Sequence, residues 1–338
     1  MILVGDIGGT NTTIAAVDYA DGRFTVQARE RFRTPSLSGI IDALTAYRDQ
    51  HPDCWESTEL CCLSGAGPVR GGRCLMTNVR FPIVQDEVAR FVGAPTFVIN
   101  DFSAICYALP LLDTHDWIDT TMFEHPDGTL PVSHGHVRAV VGAGTGLGTG
   151  YLIEDRGHFV AHPSEGGHSD YATLDPFTDE FTRFLRGRYS MQPGAEQFVS
   201  GQGIANAFAF LHATGRIGED DRIRSILRLP ESERPGAIAT AATAHEGCAQ
   251  VMRLFVRLYA RYASSTALFF LPFGGLYLAG GIAAKNETWF TEDHLFMTEF
   301  ESNYNERISP LLRDMPVVLI KDYEVSLYGA AHAALSLV

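Results

Sequence analysis

The sequence predicts an α/β protein built from two related halves, and three observations support this fold class. Short β-branched runs alternate with segments whose apolar residues recur at helical spacing. A strand, a glycine-rich turn and a second strand occur near the N-terminus and again from residue 137. The 338 residues, 46% of them hydrophobic, are enough for two lobes with a large core. A ligand-binding cleft between the halves is therefore expected.

The first half begins with three predicted antiparallel strands, "MILVGDI", "TIAAVDY" and "FTVQARERF". The "DG" pair at 21–22 favours a tight hairpin between the last two. A helix capped by a serine is predicted over "SLSGIIDALTAYRDQ". Two further strands, "ELCCLSGAG" and "PTFVIND", flank a short helix around "VQDEVARFV".

The second half opens with "VRAVVGAGTGLGTGYLIED" (137–155), which repeats the strand, turn and strand of the first. Helices are then predicted over "EFTRFLRGRY", "GIANAFAFLHAT" and "HEGCAQVMRLFVRLYARYASSTALFF". The strand "GLYLAGGI" and a closing helix "SLYGAAHAALSL" complete the half. This repetition indicates duplication of one α/β unit.

An uncharged stretch of 22 residues runs from Ala263 to Ala284. A membrane span needs about this length, but Pro272, Gly274 and Gly275 interrupt the stretch. A core helix followed by a buried strand is the better interpretation. No membrane partner is expected.

Charge and cysteine usage narrow the class of protein. The net charge is −14 and the pI is near 5.2, which argues against a nucleic-acid or anionic-membrane partner. No basic segment precedes the first strand, so no signal peptide is expected. Six cysteines without a CxxC pair are expected to be reduced thiols, which favours a cytoplasmic protein.

Neither glycine turn matches the common nucleotide-binding fingerprints. A Rossmann turn opens a helix, whereas a strand follows each turn here, and a Walker loop needs a Gly-Lys pair that the chain lacks. If the chain binds a nucleotide, its phosphates would instead be held by backbone N–H groups at the tips of the two glycine-turn hairpins, which would face each other. Asp6, at the end of the first strand, could hold Mg²⁺ through water because a hard cation prefers carboxylate oxygen; alternatively, it satisfies its own turn.

Six motifs, each weak alone, occur in the order found in bacterial glucokinases of the hexokinase/actin/Hsp70 superfamily, which the whole chain resembles. They are "DIGGTN" (6–11), "IND" (99–101), "GAGTGLG" (142–148), "EGGH" (165–168), "AEQFVSGQG" (195–203) and "LAGGIA" (278–283). The resemblance implies an actin-like ATPase fold, a duplicated RNase H-like architecture with a central cleft. It implies a small α/β domain (1–105 plus 322–338) and a large one (106–321).

The resemblance also implies an activity, the ATP-dependent phosphorylation of the 6-hydroxyl of glucose, with Mg²⁺ as cofactor and a homodimer as the expected assembly. Asp101 would be the catalytic base. The sugar would be bound by Asn100, Asp101, Glu165, His168 and Glu196. The nucleotide would be bound by Gly5, Asp6, Ile7, Gly8, Gly9, Thr10 and Asn11, by Gly144, Thr145 and Gly146, and by Gly280 and Gly281 beside the adenosine.

Carboxylates suit both implied roles, as the base in phosphoryl transfer and as ligands of the sugar hydroxyls. A carboxylate of ordinary pKa, about 3.9, cannot deprotonate an alcohol beforehand, but phosphoryl transfer needs mainly alignment and a late proton acceptor. Carboxylates also accept charge-assisted hydrogen bonds from several sugar hydroxyls.

Each residue also has a structural interpretation. Asp101 could cap the helix that begins at "FSAICYAL", Glu165 and His168 could be ordinary loop residues, and Glu196 could complement a helix dipole.

Two departures from the family pattern stand out. Thr12 and Thr13 occupy the place where relatives often have an arginine, and the segment 111–135 has no assigned counterpart and could be a surface insertion or a dimer element.

Alternative functions remain open at this point. They are a kinase of the same fold acting on another hexose or using polyphosphate or ADP, a sugar-sensing repressor, and a glycosidase based on Glu165 and Glu196.

Overall fold

The structure is a computed structural model that describes residues 1–76, 79–113, 118–173, 175–322 and 324–338. The strands, numbered in chain order, are β1 (Ile2–Ile7), β2 (Asn11–Ala20), β3 (Arg23–Arg33), β4 (Leu60–Gly65), β5 (Val69–Arg70), β6 (Arg73–Cys74), β7 (Ile83–Val84), β8 (Thr96–Asn100), β9 (Thr120–Met122), β10 (Val137–Ala143), β11 (Leu147–Asp155), β12 (His158–Ser164), β13 (Leu276–Ala279) and β14 (Val317–Ile320).

The helices are α1 (Ile40–Gln50), α2 (Pro52–Glu56), α3 (Gln85–Val92), α4 (Asp101–Ala108), α5 (Pro176–Tyr189), α6 (Gly201–Ala213), α7 (Asp221–Leu227), α8 (Arg234–Ala242), α9 (Glu246–Phe270), α10 (Gly281–Lys285), α11 (Glu287–Thr291), α12 (Leu295–Glu301), α13 (Ser309–Arg313) and α14 (Val325–Ser336). The α/β fold class expected from the sequence is confirmed.

The first sheet has the strand order β3-β2-β1-β4-β8. The first three strands are antiparallel, as the hairpin pattern predicts, and β4 and β8 are parallel to β1. In this register Ile7 pairs with Gly65, and Gly65 pairs with Asn100. Three parallel strands therefore end at the same edge of the sheet.

The second sheet has the order β12-β11-β10-β13-β14-β9. Its first five strands repeat the order of the first sheet, and β10, β13 and β14 are parallel in the same way. This agrees with the duplication that the sequence indicates. The added edge strand β9 pairs antiparallel with β14, so part of the segment 111–135 belongs to this sheet. Residues 114–117 of that segment lie outside the described residues.

The chain forms two compact units. Met1–Asp119, Gly150–Pro163 and Asp322–Val338 make up the first, and Thr120–Thr149 with Ser164–Lys321 make up the second. The domain boundaries inferred from the resemblance stay a prediction.

The apolar residues of the first sheet and helix α1 form one buried cluster around Leu3, Leu63 and Tyr47. The serine cap predicted for α1 is wrong. Its N-cap is Gly39, which makes no side-chain cap bond. The N–H and hydroxyl of Ser38 instead donate to Asp42 Oδ2, at 2.8 and 2.6 Å.

The uncharged stretch 263–284 is a core helix end and a buried strand, as expected. Helix α9 ends at Phe270, and all four residues of β13 are buried. Within the described ranges, no helix is long and apolar enough to cross a membrane.

Helices α14 and α4 pack together at Gly329. A β-carbon on this glycine would lie 1.8 Å from the carbonyl oxygen of Ala104. Only a residue without a side chain allows this approach, which places α14 directly against the helix that begins with Asp101.

We expect Gly329→Ala to lower the free energy of unfolding by about 1–3 kcal/mol, because the added methyl overpacks this contact. Thermal unfolding followed by circular dichroism measures the effect. Gly187→Ala is the control, since Gly187 lies exposed in α5 with no atom within 4 Å of its β-carbon position. An unchanged midpoint for Gly329→Ala would contradict the packing argument.

Candidate functional site

The first glycine turn, Gly8–Thr10, joins β1 to β2. Gly8 N–H donates to the carbonyl of Asn11 at 2.9 Å, which closes the turn. Within the described part of the chain, the N–H groups of Gly9 and Thr10 donate no hydrogen bond. Backbone N–H groups without a protein partner are the donors with which turns can bind anions.

Asp6 lies on β1 two residues before the turn. Ser326, at the start of α14, donates its hydroxyl to Asp6 Oδ2 at 2.8 Å. Thr13 and then Arg31 lie opposite Asp6 across the sheet. Burial raises the pKa of Asp6 above its ordinary value, against the Ser326 hydroxyl and the Arg31 charge, which lower it.

Asn100 and Asp101 lie where β8 meets α4. Asn100, and not Asp101, caps the helix: its Oδ1 accepts from the N–H groups of Phe102 and Ser103 at 2.9 and 3.3 Å. Its Nδ2 donates to the carbonyl of Gly67 at 3.1 Å. Asp101 is the first residue of α4, and its Oδ1 accepts from Phe102 N–H at 3.0 Å.

Because β1, β4 and β8 end in register, the first turn and Asp101 occupy the same edge of the first sheet. A cavity of about 270 Å³ adjoins this turn. Its lining consists of Gly9, Thr34, Pro35, Leu37, Val79, Arg80 and Phe81. Apart from Gly9, none of these residues is identified by a sequence motif, because they come from three segments far apart in the chain.

The second glycine turn, Gly144–Gly146, joins β10 to β11. Gly144 N–H donates to the carbonyl of Gly146 at 2.8 Å, while the N–H groups of Thr145 and Gly146 donate no hydrogen bond among the residues that the structure describes. The N–H of Gly201, at the start of α6, donates to the carbonyl of Gly144 at 2.9 Å. This turn therefore also presents bare donors.

Glu196 contacts the second turn directly. Its Oε2 accepts from Leu147 N–H at 2.9 Å, and a β-carbon on Gly146 would lie 2.6 Å from the same oxygen. Glu196 lies in a short 3-10 helix, Ala195–Gln197, whereas Ser200 is the N-cap of α6.

Glu165 precedes the 3-10 turn Gly166–His168, and His168 is the last residue of that turn. Both side chains are exposed, with 3.8 Å between Glu165 Oε2 and His168 Nε2. Gly167 packs so closely that its β-carbon would lie 1.9 Å from the carbonyl oxygen of Leu147. The Ala195 N–H donates to the carbonyl of Ser169 at 2.8 Å. The second unit thus brings Glu165, His168 and Glu196 close to the second turn.

Gly280 follows β13 and lies next to the same turn, since its neighbour Ala279 pairs with Gly142. Its φ of +93° suits glycine, and a β-carbon would lie 2.6 Å from the carbonyl oxygen of Ala143. Gly281 is the first residue of the five-residue helix α10.

A tyrosine on α9 supports the second turn from the core. The Tyr259 hydroxyl donates to the carbonyl of Val141 at 3.0 Å and accepts from Ala143 N–H at 3.2 Å. The side chain is fully buried, and burial raises its pKa. Sequence reasoning placed Tyr259 in a core helix but could not assign this contact, because helical periodicity does not show which backbone group a buried hydroxyl meets.

The chain is similar to known proteins along nearly its whole length. A protein-family model described as Glucokinase matches residues 3–337. A glucokinase of Nostoc punctiforme is 31% identical, with 99% of this chain and 98% of that protein covered.

Solved structures agree with this match. A glucokinase from an Antarctic psychrotroph is 25% identical with a TM-score of 0.79, covering 99% of this chain and 98% of that one. A ROK family glucokinase from Streptomyces griseus, in complex with glucose and AMPPNP, shares the fold at 21% identity and a TM-score of 0.64, with 99% of both chains covered.

Together, these matches show that the mixed α/β fold of this chain is shared with the sugar kinases among these structural neighbours. The family match along nearly the whole chain defines a narrower class than the fold does. This protein belongs to the glucokinase family.

We expect Tyr259→Phe to lower the free energy of unfolding by about 1–3 kcal/mol, because it removes a partner from two buried backbone groups. Thermal unfolding provides the measurement, and Tyr304→Phe, at a 99% exposed position, is the control. Equal midpoints for the two variants would show that the Tyr259 hydroxyl does not support β10.

Proposed function

We propose that this member of the glucokinase family transfers the γ-phosphoryl group of ATP to the 6-hydroxyl of glucose. The observation that carries the proposal is the family match over residues 3–337. The glucose and AMPPNP bound by the Streptomyces griseus protein support glucose as acceptor and ATP as donor. The wider relationship to the hexokinase/actin/Hsp70 superfamily is part of the same proposal.

The two glycine turns are the proposed phosphate-binding elements. Each has backbone N–H groups without a partner in the described part of the chain, and such groups hold phosphate oxygens without a side chain. The proposed nucleotide residues are Gly5, Asp6, Ile7, Gly8, Gly9, Thr10 and Asn11 in the first unit, and Gly144, Thr145, Gly146, Gly280 and Gly281 in the second.

Asp6 is the proposed Mg²⁺ residue, through water. The donor chemistry fits: a carboxylate suits a hard cation, and its Oδ1 accepts no hydrogen bond from the described residues, while Ser326 holds Oδ2. When bound with ATP, Mg²⁺ neutralises charge on the phosphates.

Asp101 is the proposed base. At the first position of α4, its Oδ1 accepts the Phe102 N–H, which holds the carboxylate group at the carboxyl end of β8. As the bond between the sugar O6 and the γ-phosphorus forms, the bond from that phosphorus to the β,γ-bridging oxygen breaks and ADP leaves. The hydroxyl proton passes late to Asp101.

The proposed sugar contacts are Asn100, Asp101, Glu165, His168 and Glu196. The exposed Glu165 and His168 side chains can reach a ligand, and a carboxylate can accept from two hydroxyls at once. Glu196 would bind sugar with the part of its carboxylate that does not hold Leu147 N–H. A homodimeric assembly and a cytoplasmic location also remain proposals.

Asp101→Ala is expected to abolish glucose 6-phosphate formation while glucose binding changes little, since alignment and proton acceptance are lost but other sugar contacts stay. A coupled assay measures turnover and isothermal titration measures glucose affinity. Asp86→Ala removes an exposed first-turn acid from α3 and is the control for lost helix-dipole stabilisation. Near-normal turnover of Asp101→Ala would refute the base assignment.

Gly144→Val is expected to raise the KM for ATP more than the KM for glucose. No described atom lies within 4 Å of the β-carbon position of Gly144, so the fold tolerates the side chain while phosphates would meet it. Steady-state kinetics at varied ATP and glucose measure both constants. Gly218→Val, at another loop glycine with open space, should change neither constant. A larger rise in the glucose constant would place the phosphates elsewhere.

A further inference from the structure

We infer that Thr34 is a positioning residue that aims the bare Gly9 N–H group of the first glycine turn. The inference rests on the proposed function, in which this turn binds the phosphates of ATP. Thr34 follows β3 and lies 24 residues beyond Thr10 in the chain, so no turn motif identifies it.

Thr34 bonds to both ends of the turn. Its hydroxyl donates to the carbonyl of Gly8 at 2.7 Å, and its N–H donates to the carbonyl of Thr10 at 3.0 Å. The Gly8 carbonyl and the Gly9 N–H belong to one planar trans peptide and point in opposite directions. Holding the carbonyl toward Thr34 therefore holds the Gly9 N–H away from it.

A second hydroxyl completes the network. The Oγ1 atoms of Thr12 and Thr34 are 2.9 Å apart. Because the single hydroxyl hydrogen of Thr34 is used on Gly8, Thr12 must be the donor in this pair. The chain of donors therefore runs from Thr12 to Thr34 to the Gly8 carbonyl.

Because the network is buried, the loss of one of its hydrogen bonds is costly. Thr12 is fully buried and Thr34 is 3% exposed, so water does not readily replace a lost partner. The two uncharged hydroxyls of Thr12 and Thr34 therefore hold the turn on the side that faces the protein interior. The opposite side of the turn is left for the ligand.

The test compares three variants. Thr34→Val removes the bond to Gly8 at nearly constant volume, Thr34→Ser keeps it, and Thr12→Val removes only the donor to Thr34. Titration calorimetry with AMPPNP reports nucleotide affinity without turnover, and glucose titration reports the sugar site.

For Thr34→Val we expect roughly tenfold weaker AMPPNP binding, the equivalent of one hydrogen bond. Thr34→Ser should restore wild-type affinity, Thr12→Val should weaken binding by less than about threefold, and glucose affinity should stay unchanged. If Thr34→Val does not fold, Thr34→Cys, a weak donor of similar size, replaces it with the same expectation.

Two results would overturn the inference. One is unchanged AMPPNP affinity in the variant that lacks the Gly8 bond, and the other is an equal loss in Thr12→Val, which would indicate a general packing effect. Wild-type protein that binds no AMPPNP and forms no glucose 6-phosphate would instead refute the proposed function. If Gly144→Val raises the KM for ATP while Thr34→Val leaves the AMPPNP affinity unchanged, the inference about Thr34 is refuted but the proposed function is not.

Discussion

A backbone loop that holds phosphate must leave its N–H groups without partners and still keep them in place. In both glycine turns of this protein, hydrogen bonds from neighbouring segments hold other atoms of the turn or of the residue that follows it. In the first, Thr34 engages the carbonyls of Gly8 and Thr10. In the second, Gly201 N–H engages the carbonyl of Gly144, and Glu196 accepts from Leu147 N–H.

The sheets place functional groups around each turn because parallel strands end at a common edge. The pairing of Ile7, Gly65 and Asn100 brings Asp101 to the edge that carries the first turn. The pairing of Gly142 with Ala279 does the same for Gly280 and the second turn. The repeated strand order thus produces two similar edges, each with a glycine turn and with a residue that follows a later strand.

The turns themselves contain little side chain, so neighbouring segments must support them. Ser326 from α14 bonds Asp6, and Gly329 lets that helix approach α4. Tyr259 from α9 bonds the last residues of β10. Stability and site geometry are coupled in this way, because the helices that bury the core also carry the hydroxyls that hold the strand ends.

The sequence by itself determined strands β1 to β4, β8, β10, β11 and β13, the two glycine turns, the core helix α9 and the family, since periodicity, glycine content and motif order are local or linear properties. It did not predict strands β5, β6, β7, β9, β12 and β14. It did not determine which side chain caps α1 or α4: the serine cap was wrong, and Asn100 takes the role considered for Asp101. The contacts of Thr34, Glu196, Tyr259 and Ser326 were decided only by the tertiary structure. Each joins residues distant in the chain, and a hydroxyl or carboxylate has no preferred partner until folding fixes its neighbours.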